Sequence, residues 1–381
     1  PPIRTVAQEL SVSLISVRRA WEELERDGFI HTAVGRGTFA AALGETDKAA
    51  MRRAILKEKL TDAAQFCAAV GASGEEAARA DEGGKRMRKK LLLIATGGTI
   101  ASRPAEDGLT PEMTSEELLQ CIPEVRSLCE IDTVQTFNLD STNMRPQNWV
   151  KLVKIIRDKY ESYDGFVITH GTDTMAYTAA ALSYLIQGAA KPIILTGAQK
   201  PISFDSTDSK VNLTDAFLCA CSDTLHGVMI VFNGKVIQGT RACKTRSKSY
   251  EAFSSINYPY LAVLQDGCIL QYIENACRPE PVFYDRLDDR VALLKLIPGT
   301  RAELASWMLA HNDALILESF GVGGIPSYDG NDFLSVLEAG IRAGKTVVLT
   351  TQVQNEGSNV GVYQVGHKIR ECPQVLEAFD M

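Results

Sequence analysis

The sequence predicts an α/β protein built on a parallel sheet, and three observations carry that prediction. Short, almost wholly apolar runs at Lys90–Ala95, Gly165–Thr169, Pro192–Thr196, Val228–Phe232, Ala314–Glu318 and Thr346–Thr350 recur between stretches of helical pattern such as Thr178–Gln187. A strand covered on both faces reads as a continuous apolar run, whereas a strand with one wet face alternates. The runs deliver Gly/Thr-rich loops at their C-terminal ends, where open α/β sheets place their ligands. The composition agrees: of 381 residues, 45% are hydrophobic and 23% charged, which is ordinary for a globular protein and excludes wholesale disorder. The length predicts two or three domains.

The chain opens in a different style. Behind Pro1-Pro2, residues Ile3, Val6, Ala7 and Leu10 recur at helical spacing and predict a short helix. Ser11-Val12-Ser13 supplies a turn with Ser13 as N-cap. A second helix from Leu14 to Asp27 turns Val17, Ala20, Trp21 and Leu24 inward and Ser16, Arg18 and Arg19 outward, and Gly28 ends it as a C-cap glycine. Phe29 to Ala40 alternates as a hairpin around Val34-Gly35-Arg36-Gly37. Together these make a winged helix-turn-helix, whose second helix enters a major groove. A small amphipathic subdomain with solvated arginines is the plainer reading, and it gives no reason for the Gly-Arg-Gly tip. The segment resembles the GntR family of bacterial regulators in Ile3-Arg4-x-x-Ala7, Val12-Ser13-x-x-Ser16-Val17-Arg18-Arg19-Ala20, Leu24-Glu25-Arg26-Asp27-Gly28-Phe29-Ile30 and Gly35-Arg36-Gly37-Thr38-Phe39. The resemblance implies DNA contacts from Arg4, Ser16 and Arg18 on the helices and from Gly35 and Arg36 on the wing. It departs at Leu14, where some members carry a basic residue, and the family's first helix is absent ahead of Pro1.

Residues 43–86 are rich in alanine and charge. Ile55, Leu56, Leu60, Ala63, Ala64 and Cys67 form a helical stripe, and Ser73 with Glu75 and Glu76 reads as a new helix start. A helical linker and a dimerising segment fit this pattern equally. Asp81-Glu82-Gly83-Gly84-Lys85-Arg86 breaks the composition and marks a boundary. Met87 follows it directly, as expected if two adjacent genes are read as one chain. Residues 1–86 carry no net charge, so the whole of the −7 falls on the remainder and bulk attraction to nucleic acid is excluded. Nine scattered cysteines without a Cys-x-x-Cys read as reduced thiols, not as a disulfide frame or zinc site. The five histidines lack ligand spacing, so no metal and no cofactor is expected. No apolar run approaches a membrane span and no leader pattern stands at the front, so a cytoplasmic protein without membrane contact is expected.

Two loops invite chemistry. Thr96-Gly97-Gly98-Thr99-Ile100-Ala101 follows the first apolar run, and His170-Gly171-Thr172-Asp173-Thr174-Met175-Ala176 follows Gly165–Thr169 and leads into a helix. Neither has the spacing of a dinucleotide or P-loop fingerprint. Glycine lets backbone approach a ligand, loop amides can form an oxyanion hole, and a threonine hydroxyl is a nucleophile when a base is in reach. Each motif alone is more often structural, since Thr and Asp cap helices and Gly-Gly makes turns.

Ala95–Ala101 and Thr169–Thr178 resemble the two signature motifs of the bacterial-type L-asparaginases, which hydrolyse asparagine to aspartate and ammonia. The resemblance continues through Asp140-Ser141-Thr142-Asn143-Met144, Thr196-Gly197-Ala198-Gln199, Arg241-Ala242-Cys243-Lys244 and Phe320-Gly321-Val322-Gly323, covering nearly all of 88–381. Tyr163–Ile168 and Met175–Ala179 are similar to the cytoplasmic type I branch. The resemblance implies a two-domain fold, with a larger N-terminal catalytic α/β domain over 87–280 and a smaller C-terminal α/β domain over 290–381. It further implies that Thr99 attacks the side-chain amide carbon to form a β-aspartyl ester, with Thr172, Asp173 and Lys244 as a proton relay. Gly98, Ser141, Thr142, Gly171 and Ala198 would bind the substrate, Ser141 and Thr142 at its α-carboxylate, and amides of the Gly-Thr loops would hold the oxyanion. A homodimer or homotetramer is implied as well.

Departures from the family pattern set further expectations. The stretch Asp107-Gly108-Leu109-Thr110-Pro111 has Leu109 where members often carry a tyrosine, which leaves the base for Thr99 unassigned, with Tyr250 or another distant hydroxyl as substitute. Members continue past Leu376–Met381 into a final helix, so a shortened C-terminal domain is expected. Two other functions compete with asparagine hydrolysis: an asparagine-responsive GntR-like regulator with a non-catalytic domain, and the amidase-like subunit of a tRNA-dependent amidotransferase. L-Glutamine stays open as a substrate, because one methylene in a pocket is worth only about 1–3 kcal/mol of discrimination.

Overall fold

The central strands are apolar throughout because both of their faces are covered. The computed structural model describes residues 17, 18, 21, 25, 30–33, 37–40, 57, 61, 88–105, 108–362 and 375–378, and the chain divides into two units, Pro1–Arg86 and Met87–Met381.

In the first unit, Val17, Arg18, Trp21 and Glu25 are helical, with Val17 buried and Arg18 exposed, as the expected second helix requires. Strands β1 (Ile30–Ala33) and β2 (Gly37–Ala40) pair antiparallel with Ala33 opposite Gly37. Lys57 and Thr61 are helical, and the Thr61 hydroxyl donates to the Lys57 carbonyl at 2.8 Å. The expected front helix, the rest of the expected second helix, the wing tip and most of the linker helices, and with them Arg4, Ser16, Gly35 and Arg36, lie outside the described residues.

The second unit begins with β3 (Lys90–Gly97), a hairpin of β4 (Ser102–Ala105) and β5 (Gly108–Pro111), α1 (Ser115–Gln120), β6 (Glu130–Leu139), α2 (Pro146–Lys159), β7 (Gly165–Thr169) and α3 (Met175–Leu185). It continues through β8 (Ile186–Gln187), β9 (Pro192–Thr196), α4 (Ser209–Ala220), β10 (Gly227–Phe232), β11 (Lys235–Gln238), β12 (Ala242–Lys244), β13 (Phe253–Ser255), β14 (Ala262–Gln265) and β15 (Cys268–Gln271). Eight of these strands form one sheet in the order β15-β14-β11-β10-β9-β7-β3-β6. From β6 to β10 it is parallel, as the apolar runs predict, while β11, β14 and β15 extend it antiparallel.

Alternate residues of the apolar runs face opposite layers. Leu91, Leu93, Val167 and Ile194 pack with Leu118 of α1 and Leu213 and Phe217 of α4. Leu92, Ile94, Phe166, Ile168 and Leu195 pack with Leu152 and Ile156 of α2 and with Met175 and Leu182 of α3. Full burial of each such side chain stabilises by about 1.5–3 kcal/mol, so the two layers clamp the strands from both sides. The register then aligns the strand ends, with Ala95 opposite Thr169 and Thr169 opposite Thr196. The loops after β3, β7 and β9 therefore leave the sheet side by side.

Beyond β16 (Val282–Phe283) lie β17 (Val291–Lys295), α5 (Ala302–His311), β18 (Ala314–Ser319), β19 (Ser327–Tyr328), β20 (Asn331–Asp332), α6 (Phe333–Arg342), β21 (Thr346–Thr351) and β22 (Val375–Glu377). Strands β17, β18, β21 and β22 form a second parallel sheet, with Leu309 of α5 and Phe333 and Leu337 of α6 in its core. The expected helix Thr178–Gln187 begins earlier, at Met175, and ends at Leu185, because Ile186 and Gln187 pair with β16.

Candidate active site

The first threonine loop is built on close backbone packing. Gly97 and Gly98 sit at φ 103° and 81°, the left-handed region that glycine tolerates. A Cβ on Gly97 would stand 2.5 Å from the Leu139 nitrogen, and one on Gly98 would stand 2.3 Å from the Gly171 nitrogen. No side chain fits at either place, and the Gly98 N–H donates to the Leu139 carbonyl at 2.9 Å. Half-buried Thr99 opens a short 3-10 turn, Thr99–Ala101, which the Ser102 hydroxyl ties back to the Gly98 carbonyl at 3.0 Å.

The second loop leaves β7 and enters α3. Thr172 is buried, Asp173 is exposed, and Lys244 reaches both from the end of β12. The Lys244 ammonium donates to Thr172 Oγ1 at 2.8 Å and to Asp173 Oδ1 at 2.6 Å. With its oxygen occupied by that donor, Thr172 directs its own proton to Gln199 Oε1 at 3.3 Å. Gln199 is held in turn: its side-chain amide donates to the Ser249 carbonyl at 3.1 Å, and its backbone N–H donates to the Asp208 carboxylate at 2.9 Å. Asn212 connects Asp208 to the Gly197 carbonyl through its amide, with distances of 3.1 and 3.0 Å.

The remaining expected residues are distributed around this centre. Ser141 is buried against Gly171, where an added Cβ would lie 2.7 Å from the serine Oγ, and its carbonyl accepts the Thr174 hydroxyl at 2.7 Å. Thr142 is exposed, and its hydroxyl donates to Asp140 at 2.7 Å. Ala198 is fully buried between Gly197 and Gln199. Leu109 is half exposed on β5. The hydroxyl of Tyr250, a residue between β12 and β13, stands 3.5 Å from that of Ser206, with the Lys200 ammonium 5.6 Å from the ring centroid, so Tyr250 packs against the loop after Gln199. No hydrogen bond from the Thr99 hydroxyl occurs among the described residues.

Two residues gain roles that the sequence does not assign. Gln199 closes the Thr196–Gln199 stretch, and nothing in its residue type alone singles it out. His170 lacks ligand spacing to any other histidine, yet it is fully buried beside the site. Burial pushes its imidazole down to about 4 against the opposing pull of the Gly171 carbonyl, so the ring is neutral at pH 7. Among the described residues no group of three or more His, Cys, Asp or Glu side chains is arranged to hold a metal ion.

Two hydroxyl loops at the ends of parallel strands, met by a lysine from the antiparallel β12–β13 pair, are the site of an amide-hydrolysing enzyme. The chain belongs to the asparaginase family. The family model for "Asparaginase, N-terminal" matches residues 90–276, and that for "Glutaminase/Asparaginase C-terminal domain" matches residues 290–381. The thermostable L-asparaginase from Thermococcus kodakarensis is 37% identical, with 77% of this chain and 88% of that chain covered and a TM-score of 0.72. L-asparaginase 1 of Escherichia coli is 33% identical, over 74% of this chain and 86% of that protein. One subunit of the glutamyl-tRNA(Gln) amidotransferase of Pyrococcus abyssi is 32% identical, over 75% of this chain and 68% of that protein. No described helix is long and apolar enough to cross a membrane.

Proposed function

We propose that this chain hydrolyses L-asparagine to L-aspartate and ammonia through an ester formed on Thr99. The observation that carries the reading is the Lys244 ammonium held between Thr172 and Asp173 at 2.8 and 2.6 Å. Thr99 Oγ1 bonds to the amide carbon and its proton is removed. The backbone amides of the adjoining glycine loops hold the oxyanion, a contribution typically worth about 3 kcal/mol per donor. The C–N bond then breaks and ammonia leaves with the proton. In the second half, Lys244 as its free amine takes the Thr172 proton while Thr172 takes one from water, the hydroxide adds to the ester carbon, and the relay returns a proton to Thr99, which departs as its hydroxyl. Gly98, Ser141, Thr142, Gly171 and Ala198 are the substrate-contacting set, and no cofactor or metal takes part.

Asparagine hydrolysis is favoured over an amidotransferase role because this chain covers 88% of the Thermococcus kodakarensis L-asparaginase but 68% of the Pyrococcus abyssi protein. The test is ammonia release from L-asparagine and L-glutamine by the purified chain beside Thr99→Ala. Release that vanishes in the variant supports the reading; release that persists rejects Thr99 as nucleophile. The same reading takes the enzyme as a cytoplasmic homodimer or homotetramer, with its parts divided at 87–280 and 290–381.

A second reading concerns residues 1–42 as a GntR-like winged segment followed by a linker over 43–86. The antiparallel pairing of Ile30–Ala33 with Gly37–Ala40, with Gly35-Arg36 between them in the sequence, favours it. Binding of the full chain to duplex DNA, weakened by Arg18→Ala and by rising salt, would support it; salt-independent or absent binding rejects it.

A further inference from the structure

Below the second loop lies a closed polar chain that the reaction above does not use. His170 is the first residue after β7, and its Nδ1 lies 2.8 Å from the Gly171 carbonyl oxygen. Its Nε2 lies 2.9 Å from the Thr178 hydroxyl oxygen on α3. That same oxygen lies 2.9 Å from the indole nitrogen of Trp149 on α2. Proton accounting fixes every direction. A carbonyl only accepts, so Nδ1 carries the ring proton; an indole N–H only donates, so Thr178 receives it. The Thr178 proton is then given to Nε2, whose lone pair is free in a neutral ring. A charged ring would reverse that last bond and leave Thr178 facing two donors.

The backbone of His170 is also where the three loops meet. Its N–H donates to the Thr196 carbonyl at 2.9 Å. A Cβ on Gly98 would lie 2.7 Å from its carbonyl carbon, and one on Gly197 would lie 2.3 Å from its carbonyl oxygen. A rotation of this residue therefore displaces the Thr99 loop, the Thr172 loop and the loop carrying Gln199 together.

We propose that His170 is a positioning residue for the amide hydrolysis: Trp149 and Thr178 lock it as the Nδ1–H tautomer, and that N–H pins the Gly171 carbonyl so that Thr172 meets Lys244. The inference rests on the proposed roles of Thr172 and Lys244. Preorganised placement of this kind acts on the transition state, so its loss lowers kcat and spares KM.

The experiment compares His170→Leu, His170→Asn, Trp149→Phe and Lys244→Met by steady-state ammonia release, with thermal melts to show folding. Asparagine sets an amide N–H near the place of Nδ1 and keeps the donor to Gly171. Expected is a kcat loss of about tenfold or more in His170→Leu at nearly unchanged KM, with most of it regained in His170→Asn. Wild-type kcat in folded His170→Leu, or His170→Asn no better than His170→Leu, overturns the proposal. If His170→Leu does not fold, Trp149→Phe decides: a severalfold fall in kcat supports the lock, and unchanged kcat overturns it. Lys244→Met separates the two ideas, because activity surviving there rejects the relay itself, whatever His170 does.

Discussion

The two threonine loops leave neighbouring strands of one sheet, yet they are held in opposite ways. Thr172 is buried and its oxygen is engaged on both sides, by Lys244 and by Gln199. Thr99 is half exposed, and its placement comes mainly from backbone: two glycines at positive φ, a short turn tied by the Ser102 hydroxyl, and the end of β6. The difference matches a division of labour. A group that passes protons needs fixed partners, while a nucleophile that must add to a carbon and leave again needs an unencumbered oxygen on a rigid base.

The largest test of that contrast removes the working groups. Thr99→Ala and Lys244→Met should each lower kcat by roughly a thousandfold or more with the fold intact, as read by ammonia release and circular dichroism. Near-normal turnover in either erases the distinction. Next is acid stability. His170 stays neutral in the fold down to about 4, against an ordinary 6.5 when unfolded. The unfolded chain thus binds a proton first, and stability declines as pH falls from 6.5 to 4, by on the order of 3 kcal/mol from this one group. Melting temperatures of His170→Asn should fall less over that window than those of the wild type, since asparagine does not titrate.

A smaller effect is expected from Gly98→Ala. The added methyl meets the Gly171 backbone at 2.3 Å and sits at φ 81°, so about 2 kcal/mol of stability and much of the activity should go together. Normal melting and turnover would mean that the two loops are not tied. The smallest effect belongs to Gln199→Ala, which takes one acceptor from Thr172. A single such bond is worth about 1 kcal/mol, so kcat should fall roughly fivefold without loss of fold.

How legible all this is in the sequence depends on what covers each segment. The six apolar runs read clearly because helices cover the sheets they build, and their observed ends differ from expectation by two residues at most. Strand β6 stands at the sheet edge, exposes Glu130, Asp132, Gln135 and Asn138, and also carries Thr133 and Thr136, so it shows no apolar run. The antiparallel half consists of short strands with mixed exposure and leaves no clear signal for the same reason. Within the site, the two Gly-Thr loops are visible as loops. Lys244 is placed only through the family resemblance, since 72 residues separate it from Thr172 and no local pattern joins them. The link from Trp149 through Thr178 to His170 has no local signature either, because Trp149 and Thr178 lie 29 residues apart on different helices.

The contact between Gly98 and Gly171 has a kinetic consequence. Two stretches of chain that touch backbone to backbone, with no side chain between them to yield, cannot open independently. Amide hydrogens at Gly98–Thr99 and at Gly171–Thr172 should exchange with solvent through one shared opening event, at matched rates, although more than 70 residues of chain lie between them.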